Sequence, residues 1–284
     1  MISVIVPARN ESLTIGAVVE QIVRVDLVDE IIVVDDGSTD STAEVALQSG
    51  AIVLRHPYPK GNGAAIKTGA RHVKGDVIVF MDGDGQHRPE DISRLLAKLG
   101  DGYDMVVGAR VSRKSQAGMH RAAANGFYNR FASWMTGCDV RDLTSGFRVV
   151  KAGLFKRFLY LLPNGFSYPT TITMAFFRSG YSVAYEPIAV DKRIGKSHIR
   201  LWRDGVRFLL IIFKIGTLFS PLKLFLPISL AFFTTGLSYY VYTFLTTGRF
   251  TNMSALMFTT AIVIFLIGLV SEQITALMYR EQDD

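Results

Sequence analysis

Val77-Ile78-Val79-Phe80-Met81 runs directly into Asp82-Gly83-Asp84-Gly85-Gln86-His87, and the reading of this junction decides the fold. A short, continuous apolar run bounded by turn residues reads as a strand buried on both faces. The acidic hexad then falls at the strand's carboxyl end, where open α/β sheets place their ligands. Two carboxylates one residue apart, with a side-chain amide two further on, offer hard oxygen ligands to Mg²⁺ or Mn²⁺. Such ions usually share their shell with a substrate phosphate. Glycines at 83 and 85 let the backbone approach that phosphate. Alone, the hexad also reads as a polar turn, so the rest of the chain has to decide.

Working outward, apolar strands alternate with helical patterns through residue 110. Strands are expected at 2–6, 30–34, 51–54, 76–81 and 104–108, and helices at 13–23, 39–48 and 64–73, with a further helix opened by Pro89-Glu90-Asp91. This alternation predicts an α/β fold: a mostly parallel sheet with helices on both faces. Beyond residue 110 the pattern is less regular. A helix is expected at 119–135 and strands at 145–150 and 181–187.

The chain has 284 residues, 49% of them hydrophobic, and a mean hydropathy of +0.26, high for a purely soluble protein. The excess lies at the C-terminal end. Residues 224–248 and 250–271 carry no charge, and only Arg249 separates them. Each run is long enough to cross a bilayer, so a transmembrane hairpin is expected rather than a pair of buried core helices. Residues 199–220, with Arg200, Trp202, Arg203 and Arg207 ahead of Phe208-Leu209-Leu210-Ile211-Ile212-Phe213, read as an amphipathic helix lying in the membrane interface. The expected organisation is thus a domain at 1–198, the interfacial helix at 199–220 and the hairpin with a short tail at 221–284. The chain enters a strand at once with no basic leader. Lys214 and Lys223 precede the first span, against the lone Arg249 in the turn. An integral membrane protein with its N-terminal domain and both termini in the cytosol is expected. The single Cys138 rules out an intrachain disulfide framework and fits a reducing compartment.

Charge is unevenly spread. Residues 1–104 carry ten Lys/Arg and sixteen Asp/Glu, a net of −6; residues 105–223 carry nineteen against five, a net of +14. An acidic half suited to a metal precedes a basic half suited to an anion or an anionic lipid surface. The basic charge abuts the membrane segment and no nucleic-acid motif accompanies it, so nucleic acid is not expected as a partner.

Three polar clusters fall at carboxyl ends of strands: Pro7-Ala8-Arg9-Asn10-Glu11, Asp35-Asp36-Gly37-Ser38 and the opening hexad. No dinucleotide glycine fingerprint follows the first strand, which argues against a nicotinamide or flavin enzyme. Gly195-Lys196-Ser197 lacks the upstream glycine and the preceding strand of a phosphate-binding loop. Carboxylates for a base and ribose, with a metal for a diphosphate, suggest a nucleotide-diphosphate donor.

The chain resembles family 2 glycosyltransferases of the GT-A (Rossmann-like) fold, and among them the dolichyl- and undecaprenyl-phosphate sugar synthases. The resemblance rests on the three clusters above, on Gly61-Asn62-Gly63-Ala64-Ala65-Ile66, Gly108-Ala109-Arg110, Ser145-Gly146-Phe147-Arg148 and Arg193-Ile194-Gly195-Lys196-Ser197 in family order, and on the C-terminal hairpin. It implies transfer of a hexose, with inversion and with Mg²⁺ or Mn²⁺, from a nucleotide-diphosphate sugar (GDP-mannose, UDP-glucose or UDP-GlcNAc) to a polyprenyl (dolichyl or undecaprenyl) phosphate in the bilayer. It implies a prokaryotic plasma membrane rather than an endoplasmic reticulum, and leaves room for a homo-oligomer.

By the same resemblance, Pro7, Arg9, Glu11 and Asp35 or Asp36 hold the nucleotide. Asp82 and Gly83 meet the donor, and Asp84 and Gln86 bind the metal. Arg110 meets phosphates at the donor–acceptor junction, while Arg121 and Asn125 take the acceptor phosphate. Arg193 and Ser197 belong to a loop closing over the diphosphate. The chain departs from the family where Arg9 replaces an aromatic residue, Asn125 a serine, and His198 a lysine. Arg148, beside Phe147, reads equally as a packed stem or a functional arginine, and His87 as a packing residue rather than a base. A phosphomonoester acceptor has its second pKa near ~6 and is ionised at neutral pH, so no general base is required; Asp82, Asp84, Arg110 and Arg121 carry the chemistry. A processive polysaccharide synthase is the first alternative, but the chain lacks its Gln-x-x-Arg-Trp motif and additional spans. A non-catalytic lipid-binding adaptor is the second, and the intact acidic motifs argue against it.

Overall fold

The computed structural model describes residues 1–110, 119–165, 168–190, 213–214, 216–218 and 220–280, with backbone only at 119–125 and 278–280. The chain divides into two compact units, Met1–Ile199 and Arg200–Asp284.

In the first unit, β1 (Ile2–Ala8), β2 (Glu30–Asp35), β3 (Ile52–Arg55) and β4 (Val77–Phe80) pair in parallel, in the order β3-β2-β1-β4. Their continuous apolar runs bury both faces: every residue of β2 is buried, as are Val4, Ile5 and Val6 of β1. The crossover helices fit by pattern. Helix α1 (Ile15–Val23) buries Ile15, Val18, Val19 and Ile22, the i, i+3, i+4, i+7 stripe of a helix on a sheet. Between β2 and β3 runs α2 (Thr42–Gln48). Helix α3 (Asn62–His72) buries mostly glycines and alanines, with Ile66 the one larger apolar side chain. A Cβ at Gly69 would stand 2.6 Å from the Ile5 side chain, so this helix lies close against β1.

Helix α4 (Asp91–Gly100) leads to β5 (Met105–Arg110), α5 (Met119–Thr136), β6 (Arg148–Lys151), α6 (Ala152–Arg157), α7 (Tyr168–Arg178) and β7 (Val183–Ile188). The seven-stranded sheet has the order β3-β2-β1-β4-β6-β5-β7. Strand β6 alone runs antiparallel, wedged between β4 and β5, while β7 pairs in parallel with β5. That reversal matters for the site: it carries the loop before β6 to the edge where all other strands end.

The expected strand at 145–150 is corrected by this arrangement. It begins only at Arg148, because the Asp142 carboxylate accepts the N–H groups of Thr144 and Ser145 and turns the chain there. Helix α1 starts at Ile15 rather than 13, with Leu13 almost fully exposed, and α3 starts at Asn62 rather than 64. The amphipathic helix expected at 199–220 falls largely outside the described residues.

The second unit is a hairpin of α8 (Pro221–Thr247) and α9 (Asn252–Arg280). Both helices are long and apolar enough to cross a membrane. Gly248, at φ 67°, closes α8 with its N–H on the Phe244 carbonyl. The helices meet at small residues: a Cβ on Gly236 would come within 2.9 Å of Met257 Cβ, and one on Gly268 within 2.7 Å of Phe225 Cβ. The Ser229 hydroxyl donates to the Ala261 carbonyl at 2.8 Å, and the Glu272 carboxylate accepts the Leu222 N–H at 3.1 Å. The latter satisfies an orphan donor in the first turn of α8.

Candidate active site

Parallel register brings the expected clusters together. Ala8 pairs with Asp35, and Ile5 with Phe80, so the chain leaves β1, β2 and β4 at one edge. There Pro7, Ala8, Arg9, Glu11, Asp36, Gly61, Asn62, Ala65, Asp82, Gly83 and Asp84 line a cleft of about 360 Å³, within the range of small-molecule sites.

The loops around the cleft are tied to one another by short polar side chains. Asn10, at φ 54°, gives its N–H to Ser38 Oγ and accepts the Thr39 N–H at 2.9 Å. The Glu11 N–H donates to Thr42 Oγ1, and the Glu11 carbonyl takes the N–H groups of Thr14 and Ile15 at the start of α1. Thr14 Oγ1 donates to the Gly83 carbonyl at 2.8 Å, joining the first loop to the acidic hexad.

Asp35 and Asp36, left as alternatives by the sequence, occupy different places. Asp35 is fully buried and does not line the cleft. Its Oδ1 accepts the Ser38 N–H, and Arg55 Nε lies 3.2 Å from Oδ2, close enough for charge pairing but not aligned for a hydrogen bond. Asp36 does line the cleft. Its Oδ1 accepts the Lys60 N–H and His56 Nδ1, and its Oδ2 the Gly61 N–H, each at 2.8 Å. Burial works against this charge, but the bonds from His56, Lys60 and Gly61 prevail and hold the carboxyl below its ordinary range.

Asp82 and Asp84 are half-buried in the cleft wall, and Gln86 is half-buried two residues on. The Gln86 N–H donates to Asp84 Oδ1 at 3.2 Å. Asp82 packs against the backbone at Gly146: a Cβ there would lie 2.6 Å from its Oδ2, so a larger residue would displace the carboxylate. No group of three or more His, Cys, Asp or Glu able to hold a metal occurs among the described residues. Two carboxylates in the cleft wall, with the Gln86 amide two residues beyond Asp84, nevertheless suit a hard cation that draws its other ligands from a diphosphate and water. His87 is buried and stacks on Phe147, with centroids 5.2 Å apart. Burial pushes its pKa down to about 4, so it is neutral at pH 7.

Arg110, at the end of β5, is gripped by a residue the sequence reading missed. Its Nε and Nη2 donate to the two oxygens of Asp142 at 2.7 and 2.8 Å, and Nη2 also reaches Thr144 Oγ1. Arg110 keeps a quarter of its side chain exposed, against 9% for Asp142. Asp142 gave little signal because it precedes a strand, and only the antiparallel β6 brings its loop to this edge. The contacts of Arg148 settle its role: fully buried, it donates to the carbonyls of Ser145 and Pro169 and to Thr173 Oγ1, and lies over the Tyr168 ring. It pins the 145–147 loop and does not line the cleft of Asp36, Asp82 and Asp84.

Arg121 and Asn125 fall on α5, but their side chains lie outside the described residues, as do Arg193 and Ser197 altogether. Gly61, Asn62 and Ala65 join the cleft through the α3 start.

Comparison with known proteins places this geometry. An uncharacterised protein of Methanocaldococcus jannaschii is 36% identical over 154 residues, covering 52% of this chain and 63% of that protein; this chain therefore spans under two thirds of that relative. A dolichyl-phosphate hexose transferase of Haloferax volcanii is 30% identical over 72% of this chain and 89% of its own length. Glucosyl-3-phosphoglycerate synthase of Mycobacterium tuberculosis, in complex with Mn²⁺, uridine-diphosphate-glucose and glycerol 3-phosphate, superposes with a TM-score of 0.57. It shares 28% identity over 73% of this chain and 75% of that one. Residues 220–277 match the model of the GtrB C-terminal hairpin. Residues 3–159, more than half of the chain and containing most of the cleft's own motifs, match the model of glycosyl transferase family 2, and the chain belongs to that family of glycosyltransferases.

Proposed function

We propose that this glycosyltransferase moves a hexose from a nucleoside-diphosphate sugar to a polyprenyl phosphate at the membrane surface, with inversion and with a divalent cation. The observation that carries the reading is the two-signed edge of the sheet. Asp36, Asp82 and Asp84 meet in one cleft, Arg110 stands beside Asp82 closely enough to feel its charge, and the same chain carries a pair of helices long enough to span a bilayer. The Haloferax relative's name supports the acceptor class and the mycobacterial complex the donor class.

The acceptor phosphate oxygen attacks the anomeric carbon as the bond from that carbon to the diphosphate oxygen breaks. The products are a polyprenyl-phosphate sugar and a nucleoside diphosphate. The nucleophile is ionised beforehand, and no carboxylate has to remove a proton. A cation held by Asp84 and Gln86 would supply positive charge to the departing diphosphate. The chain's part is to bring two anions together. Arg110, its planar fork fixed by Asp142, and Arg121 suit that task. Arg193 and Ser197 suit closure over the donor.

Helix α5 fits a lipid acceptor as well. Past Arg121 and Asn125 it exposes Phe127 and Trp134, and Phe131 packs between them at 6.4 and 5.8 Å from their centroids. Arg130 is exposed alongside, while Ala132 and Met135 bury the opposite face. Aromatic residues with arginine on one face suit the bilayer interface. By the charge flanking the spans, the catalytic unit and both termini face the cytosol.

The test is transfer from a panel of UDP- and GDP-sugars to undecaprenyl and dolichyl phosphate, with and without chelator. One donor should be used, chelator should abolish turnover, and Asp84→Ala should lower it at least a hundredfold. No transfer from any donor sinks the reading.

A further inference from the structure

A chain of three side chains, half-buried at Thr68 and buried at His56 and Asp36, runs from the middle of α3 to Asp36 at the cleft. Thr68 Oγ1 lies 2.9 Å from His56 Nε2, and His56 Nδ1 lies 2.8 Å from Asp36 Oδ1. His56 is 5% exposed. The order Thr-His-Asp resembles a nucleophile relay, but neither Thr68 nor His56 lines the cleft, so Thr68 has no access to a substrate there.

The bonding pattern fixes the direction of the chain. Asp36, held below the ordinary carboxyl range, is ionised at neutral pH and can only accept. His56 therefore carries a proton on Nδ1 and donates it in a hydrogen bond to Asp36, while Nε2 pairs with the Thr68 hydroxyl. Asp36 has about four acceptor positions. Lys60 N–H and His56 fill both on Oδ1, and Gly61 N–H fills one on Oδ2. Among the described residues nothing fills the remaining position on Oδ2, which is left to a ligand. The same contacts hold the turn at Lys60 and Gly61, and Gly61 and Asn62 are themselves cleft wall.

We propose that His56 is a positioning residue for the nucleotide half of the donor: by holding Asp36 Oδ1 and anchoring it to α3, it aims Oδ2 at an N–H or O–H donor of the nucleoside. This rests on the nucleotide-sugar reading above and adds to it a residue that never touches the substrate. Its effect falls on donor affinity, since the sugar and the acceptor phosphate bind at the far end of the donor, beside Asp82 and Arg110.

Two near-isosteric substitutions separate the bonds. In His56→Asn the side-chain amide sits where Nδ1 was and still donates to Asp36. In His56→Gln it sits where Nε2 was, reaches Thr68 and leaves Asp36 without its donor. Titration of the full chain in detergent with UDP and with GDP, in the presence of Mn²⁺, gives binding without turnover; thermal melts run in parallel. Wild type should bind one of the two. His56→Gln should weaken that binding about tenfold and raise the donor KM to match, with kcat and acceptor KM within about twofold. His56→Asn should restore affinity to within about threefold of wild type. Equal affinity in His56→Gln and wild type overturns the proposal. So does a loss shared by both variants that tracks a lowered melting temperature, which would make His56 a packing residue. Wild type that binds neither diphosphate overturns the function reading, and this inference with it.

Discussion

At the scale of single residues, the site is governed by which carboxylates are already engaged. Asp142 is the clearest case. Burial raises the cost of its charge, but Arg110 supplies two guanidinium hydrogen bonds, a third from its backbone N–H and a full positive charge, and the Asp142 carboxyl is held below the ordinary range. A carboxyl whose pKa is lower folded than unfolded gives its full stabilisation above the unfolded value, near ~3.9. It loses that stabilisation as pH falls through the folded value. Asp142→Asn should therefore unfold at lower temperature at pH 7, by the equivalent of about 2 kcal/mol; that is below the ~3–5 of a wholly buried pair because Arg110 is partly exposed. Between wild type and variant the gap should narrow as pH falls below ~4. Transfer should drop at least about tenfold, as a freed guanidinium no longer presents a fixed fork. Melting curves from pH 3 to 7 and steady-state kinetics check both; an unchanged rate would show that the fork's orientation is unimportant. The acidic cleft itself was legible from sequence, because Asp36, Asp82 and Asp84 follow apolar runs and register does the rest. Asp142 was not, since nothing local distinguishes an aspartate that will meet an arginine thirty-two residues away.

At the scale of elements, periodicity located every parallel strand to within two residues and the helices between them to within three, the largest miss being α2, expected from 39 and beginning at Thr42. It failed where side chains compete with the backbone. The Asp142 carboxylate turned the first half of the expected strand at 145–150, up to Phe147, into a loop, and the start of α3 was hidden because glycines carry no pattern. Gly63 shows why they are needed. A Cβ there would stand 2.0 Å from the Pro163 carbonyl oxygen, and the N–H groups of Gly63 and Ala64 donate to the carbonyls of Gly165 and Asn164. The helix start is thus plugged by a distant loop, a contact set by tertiary packing alone. Helix α5 yields a sharper test, because the chain has two tryptophans, Trp134 and Trp202. In a Trp202→Phe variant only Trp134 fluoresces. Reconstituted into vesicles with lipids brominated at graded depths, it should be quenched most by bromines near the headgroup, with a blue-shifted maximum. Emission of a water-exposed indole, unaffected by bromine at any depth, would remove α5 from the interface.

At the scale of the whole molecule, the proposed function divides the work between the two units, chemistry in one and location in the other. The unit at Met1–Ile199 holds the cleft and its own core, while the other supplies an apolar hairpin. Sharing a bilayer with the acceptor raises the effective concentration of one for the other by roughly 10²–10⁴ without adding a contact. That gain depends on the acceptor being membrane-bound, which makes it separable. A chain ended at residue 219 should bind its nucleoside diphosphate within about threefold of the full chain, since among the described residues none of the cleft lining comes from beyond Asp84. With a short, water-soluble prenyl phosphate, its kcat/KM should stay within about tenfold. With undecaprenyl phosphate in vesicles it should fall a hundredfold or more, by the lost co-localisation. Equal losses with both acceptors would mean that the hairpin shapes the acceptor site rather than holding the enzyme beside it. Equal retention with both would mean that the first unit finds the membrane unaided, which the exposed aromatic face of α5 would then have to explain.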